Sequence, residues 1–203
     1  MTEFVRRAAR PLALGLALIL LVFAPPLAQA GKAAQAYVQK LADDAMGIIN
    51  NAALSKEEKK AQLTTLLDAN IDVKTIALFT LGQYRKGASD ADLDAYIPVF
   101  HDYLIGFYIK NLSGLGQASF RITGSTDLAG NKGTVVKSLA TGDGGEPMEI
   151  NWRVLNDASV QDVQIAGAWM ALALREQMVT VIDANQGRIS AATAKLKEIV
   201  AGL

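Results

Sequence analysis

MEINWRVLNDASVQDVQIAGAWMALALREQ, residues 148–177, changes its period partway along. Through MEINWRVL and SVQDVQIA, apolar and polar residues alternate, which sends successive side chains to opposite faces of a strand. Met148, Ile150, Trp152 and Val154 share one face, and Val163 and Ile165 share one in the second run. Past Gly167 the alternation stops, and Ala168 to about Ala184 reads as an apolar helix with Arg175 after its oiliest part. Gly167 is expected to allow a tight reversal from strand to helix, because glycine accepts backbone angles other residues avoid.

Upstream, ASFRIT and TVVKSLAT alternate in the same way and put Phe120 and Ile122 on one face. The glycine-rich turns DLAGNKG and GDGGEP separate these runs, which gives a four-stranded antiparallel meander, apolar on one side and wet on the other. Downstream, a second helix over Ser190–Ala201 follows a break at Asn185–Gly187.

The N-terminal half has helical spacing instead. Ala33–Asn51 carries Tyr37 or Val38, Leu41, Ala45 and Ile48, and Ser55 with Glu58 forms a capping box for a helix through Leu67. A third helix follows Asp72 and stops at Gly82. Ser89 with Asp92 opens a fourth, DLDAYIPVFHDYLIGFYIKNL, whose apolar stripes run along two sides. Such a helix is buried by other elements or lines something apolar. Pro98 in its interior predicts a kink or restart near Asp94–Pro98. Helices, then strands, then helices make an α+β domain, with two C-terminal helices packed on one sheet face around an apolar cavity.

The faces that read inward name the cavity wall. Ile76 and Phe79 come from the third helix, and Phe100, Leu104, Phe107 and Tyr108 from the fourth. Phe120, Ile150, Trp152, Val163 and Ile165 come from the strands, and Trp169 and Met170 continue the wall. Arg175 stands where the wall ends and, since an unpaired buried guanidinium is costly, has to reach water, a carboxylate or a bound anionic group; Asp162 is the favoured partner, although its strand parity is opposite to that of Val163 and Ile165.

Composition bounds the function. The 203 residues include no cysteine and one histidine, with 20 basic and 20 acidic side chains. MTEFVRRAARPLALGLALILLVFAPPLAQA carries Arg6, Arg7 and Arg10 before an apolar run, then small residues at Ala28 and Ala30. This is the pattern of a cleaved signal peptide over residues 1–30; Leu12–Ala24 is shorter than the roughly 20 residues that span a bilayer. Its removal leaves 17 basic against 19 acidic residues in a single domain, 31–203. That balance argues against a nucleic-acid partner, and export without cysteine points to a bacterial periplasm.

Catalytic chemistry finds little support. His101 and Asp102 are helix neighbours, which do not face each other, so a structural histidine is the plain reading. One histidine and no cysteine argue against a transition-metal site. The carboxylates fall on solvent faces or helix starts, and the GDGGEP glycines lack the surroundings of a phosphate loop. No enzyme activity and no cofactor are expected.

LGQY at Leu81–Tyr84 followed by Ala88-Ser89, the FY pair Phe107-Tyr108, and DVQIAG…LR from Asp162 to Arg175 resemble the toluene-tolerance, or MlaC-type, periplasmic phospholipid-binding proteins. The resemblance covers about residues 33–200. Arg85, Ala158-Ser159 and Leu174 stand where the family usually has tryptophan, a Trp-Lys pair and tyrosine, which marks a divergent member. The resemblance implies a soluble monomeric carrier that holds acyl tails as cargo, with Tyr84 and Arg175 at the rim of the cavity. It implies exchange with an outer-membrane lipoprotein complex and the periplasmic domain of an inner-membrane ABC transporter. Two acyl chains lose on the order of 20 kcal/mol when moved from bilayer to water, at about 0.8 kcal/mol per methylene, so the cavity has to be deep. The competing readings are a carrier of another lipid such as a hopanoid, and a plain interaction or scaffold module whose apolar helices form an ordinary core.

Overall fold

The computed structural model describes residues 27–113, 119–130, 132–142, 145–156 and 158–202. Most of the expected signal segment, the side chain of Leu112, Ala118 and parts of both glycine-rich turns lie outside them. Helix α1 spans Leu27–Ile49, so cleavage after Ala30 would remove its first turn. No described helix is long and apolar enough to cross a membrane.

The helix starts follow the polar signals. α2 spans Lys56–Asn70. Ahead of it, Ser55 Oγ accepts the Glu58 N–H at 3.2 Å and Glu58 Oε2 accepts the Ser55 N–H at 2.8 Å. α3 spans Val73–Thr80 and is capped by Asp72, whose Oδ1 accepts the Thr75 N–H at 3.0 Å. Gly82 ends that segment at φ +57°, and a Cβ there would lie 2.7 Å from Val179 Cγ2, so glycine is required twice over. A 3-10 turn, Gly82–Gly87, leads to α4, Asp90–Ser113, which opens on the reciprocal Ser89 and Asp92 bonds.

Pro98 does not interrupt α4, and the expected restart is absent. The hydrogen bond that proline removes would have ended on the carbonyl of Asp94. Pro98 and Asp94 are both exposed, so the carbonyl that loses its partner lies on the solvent side of the helix, and the turn continues without a restart.

The strands are β1 Ser119–Asp127, β2 Thr134–Thr141, β3 Met148–Leu155, β4 Ser159–Ile165 and a short β5, Ala168–Trp169. They form one antiparallel sheet in chain order, five strands where the pattern gave four. The fifth arises because Ala166 and Gly167 both have positive φ, 49° and 82°, which closes a two-residue hairpin. Gly167 therefore turns strand into strand, and α5 starts later than expected, over Met170–Ala184. Cross-strand pairs Ile150 with Ile165, Trp152 with Val163 and Val154 with Val160 align the apolar face. Lys137 and Glu149 on the other face are exposed.

α1 covers part of that face, with Ala34 and Val38 packed on Val136 and Val154. α4 lies against α2, α3 and α6, the last spanning Ile189–Val200. Tyr96 and Phe100 are fully buried in this second layer, and the Tyr96 hydroxyl bonds Thr80 Oγ1 at 2.8 Å. Burial pushes the Tyr96 hydroxyl well above its ordinary pKa, so it stays neutral.

The expected pair between Asp162 and Arg175 does not form. Asp162 Oδ1 accepts the Ala171 N–H at 2.9 Å and the Val163 N–H at 2.8 Å, so it caps α5 from β4. Its first-turn amides are the stronger demand, because they have no local side-chain cap. Burial raises the Asp162 pKa against the opposing pull of these amides and of Arg153, its cross-strand partner. Arg175, half-buried, stacks over the Phe79 ring with its guanidinium carbon 5.0 Å from the centroid.

Pro98→Ala is expected to restore a helix hydrogen bond and raise stability by about 2 kcal/mol, the helix penalty of about 3 kcal/mol less the entropy of about 0.4–1 kcal/mol that proline removes from the unfolded chain. A lower melting temperature for this variant would contradict it. Asp162→Ala is expected to cost about 1–2 kcal/mol at neutral pH, since it strips a cap. Asp162→Asn should cost less than half as much, because it keeps an acceptor and relieves the burial of charge. Arg175→Ala should cost about 0.5–1 kcal/mol through the lost ring contact. In denaturant titrations the double variant Asp162→Ala/Arg175→Ala should be additive within about 0.5 kcal/mol. A larger coupling would restore the ion pair.

Candidate functional site: an apolar cavity between helices and sheet

Where α1 and α2 lean over the sheet they leave a cavity of about 90 Å³ with a wholly apolar wall. Leu41, Ala42, Ala45 and Met46 of α1 form one side, and Leu63, Leu66 and Leu67 of α2 continue it. The sheet contributes Ser119, Phe120, Ala140, Ile150, Trp152, Val160 and Val163, and α4 contributes Tyr108; the surface these residues turn to the cavity is apolar. Ile71, just past α2, closes one end and bridges to Val160 as a short parallel pair.

Trp152 is the largest fixed group in this wall. Its indole N–H donates to Ser138 Oγ at 2.9 Å, and that hydroxyl donates to the Ile150 carbonyl at 2.7 Å. The buried serine thus satisfies the only polar atom of the indole and leaves the ring to pack edge to face with Phe120, 6.1 Å between centroids. Tyr108 makes no hydrogen bond among the described residues; burial first, then the charge of Asp162, pushes its hydroxyl above the ordinary value, so it is neutral. Among the described residues no three of His, Cys, Asp and Glu cluster as metal ligands would. The arrangement can bind apolar matter.

Beside the cavity, His101 of α4 meets two carboxylates. Nε2 lies 2.7 Å from Asp68 Oδ1 on α2, and Nδ1 lies 3.4 Å from Asp102 Oδ1. Helix spacing hid Asp68, which is 33 positions away in the chain.

Of the residues expected to line the cavity, Tyr108, Phe120, Ile150, Trp152 and Val163 do so. Phe100 and Leu104 are buried in the core, while Phe107, half-buried, meets the Tyr103 ring at a tilt and the Tyr108 ring edge to face. Ile165 packs on the edge of that core, and Trp169 pairs with Gln164 in β5, ahead of Met170. Ile76 and Phe79 border a separate, mixed groove beside Asp162 and Arg153. Tyr84 and Arg175 are not at the rim. The Tyr84 hydroxyl bonds Asp183 and its ring lies against Gly187, near the α5–α6 connection, while Arg175 sits beside Gly82 and Phe79. The wall residues on α1 and α2 were missed, although Leu63, Leu66 and Leu67 have the three- and four-residue spacing of an apolar stripe.

No curated protein matches the chain. Among solved structures, a phospholipid-binding protein from Ralstonia solanacearum, determined in complex with a phospholipid at 1.53 Å, shares the fold with a TM-score of 0.71. It is 22% identical, and the match covers 83% of this chain and 97% of that one. The family described as MlaC protein matches residues 39–198, most of the chain. By that match, the chain belongs to the MlaC family.

Proposed function

We propose that the protein is a lipid carrier, which holds the acyl chains of a phospholipid in the cavity under α1 and α2. The observation that carries this reading is a wholly apolar cavity, bounded by helices and sheet, in a member of the MlaC family. The phospholipid complex of the Ralstonia protein supports it by fold. The carrier works in the periplasm and shuttles lipid between an outer-membrane lipoprotein complex and the periplasmic domain of an inner-membrane ABC transporter. It performs no catalysis. Tyr108, Phe120, Ile150, Trp152 and Val163 contact the cargo, together with the α1 and α2 residues of the wall.

At about 90 Å³ the cavity is smaller than the roughly 150 Å³ that holds one benzene ring, and far below the roughly 300–1,000 Å³ of ordinary ligand pockets. The described state is therefore contracted. Loading requires the helices to move off the sheet, and the apolar wall then exchanges contacts with itself for contacts with methylenes.

Organic extraction and native mass spectrometry of protein purified without detergent are expected to find bound phospholipid. Ala45→Phe, which fills the cavity from α1, should melt cooperatively at a cost of about 1–3 kcal/mol and lose its lipid. Exposed Leu172→Ser is the control and should keep it. Lipid-free wild type would refute the carrier reading, and wild-type lipid content in folded Ala45→Phe would move the cargo to another part of the molecule.

A further inference from the structure

α2 is the wall element with the least hold on the rest of the protein. Only Leu63 and Leu67 of its 15 residues are buried. α1 is clamped to the sheet through Ala34 and Val38, and Gln35 Nε2 donates to Ser125 Oγ at 2.7 Å. Near its N-terminal end α2 is tied to α1 by Lys59 Nζ, which donates to the Ile49 carbonyl at 2.7 Å, and its other ties are at the C-terminal end. Tyr37 donates to Asn70 Oδ1 at 2.8 Å, Ile71 bridges to Val160, and Asp68 meets His101 at 2.7 Å. Among the described residues the last is the one polar bond between α2 and α4, and Asp68 directly follows the wall residue Leu67.

Resting on the carrier reading, we propose that the Asp68–His101 bond is a latch that holds α2 closed over the cavity, and that protonation of His101 sets its strength. The charged groups that act on His101 are Asp68 from α2 and Asp102 from its own helix. Burial works to lower the His101 pKa, but the two carboxylates outweigh it and the net shift is upward from 6.5. The sign follows. Because the folded value is raised, the pairing energy is fully present below about 6.5, the ordinary histidine value, and is lost as pH rises through the raised one.

Above that point the neutral ring keeps one N–H, enough for one bond of roughly half the charge-assisted strength. Its other nitrogen then turns a lone pair toward a carboxylate. Acid closes α2 and alkali loosens it. His101 is the only histidine in the sequence, so a scan from pH 5.5 to 8.5 titrates this latch and no other imidazole.

Two measurements on the full chain test this. The first is amide hydrogen exchange of residues 63–70, corrected for the intrinsic effect of pH and needing no lipid. The pair is partly exposed, so protection should fall by about two- to fivefold from pH 5.5 to 8.5. The second is release of a fluorescent phospholipid from loaded protein to phosphatidylethanolamine–phosphatidylglycerol vesicles, which should quicken by the same factor. His101→Gln and Asp68→Ala should remove the pH dependence of both and stay at the fast limit. Equal protection at the two pH values would overturn the latch. So would pH-dependent protection with unchanged release, since α2 would then not govern the cavity. Failure of the carrier reading looks different: no lipid is taken up at either pH.

Discussion

Everything in this domain answers to a sheet with one dry face. The register of β3 against β4 sets Ile150, Trp152 and Val154 opposite Ile165, Val163 and Val160, so a continuous apolar surface must be kept from water. A single helix is about 10 Å across and cannot cover it. α1 seals the region over β1 and β2 through small side chains that let it come close, with Ala34 and Val38 reaching Val136 and Val154. α4, bulky with aromatics, packs with α3 and α6, and the cavity is what α1 and α2 leave between themselves and the sheet.

Local chemistry was written plainly in the chain. Ser55 with Glu58, Asp72, and Ser89 with Asp92 mark helix starts through contacts within four residues, and Gly82 marks an end through its own backbone angle, which is why they could be read. Alternation likewise gave β1 to β4 and the inward faces of Phe120, Ile150, Trp152 and Val163. What failed was long in range or conditional on solvent. Pro98 is tolerated because its turn faces water, a fact about packing that the sequence does not carry. Arg175 and Asp162 were matched by charge and reach, yet a helix start competed for the carboxylate and an aromatic ring for the guanidinium. Core and cavity wall use the same residue types, so Phe100 and Phe120 could not be separated by composition, only by which helix covers them.

The carrier reading has an energetic requirement that the fold meets in an unusual place. A rigid apolar hole large enough for acyl chains would stand empty between cargoes and lose the contacts of its lining. Here the wall instead closes on itself, and α2, polar over most of its surface and lightly anchored, is the part that can yield without disturbing the sheet. Trp152, held by Ser138 and Ile150, remains a fixed reference on the opposite side. On the carrier reading, cargo would be accommodated by moving one wall.

The cap on α5 bears on how the chain assembles. α2, α3 and α4 begin on side-chain caps supplied from within three residues, but the first turn of α5 is satisfied by Asp162, nine residues earlier, on β4. That carboxylate reaches the Ala171 amide only once β4 and β5 have paired about the Ala166-Gly167 turn. A C-terminal helix severed from the meander would lack its own start signal. The last strands and the C-terminal helices are therefore coupled in folding, and a fragment that begins after β4 would hold α5 without the cap on its first turn.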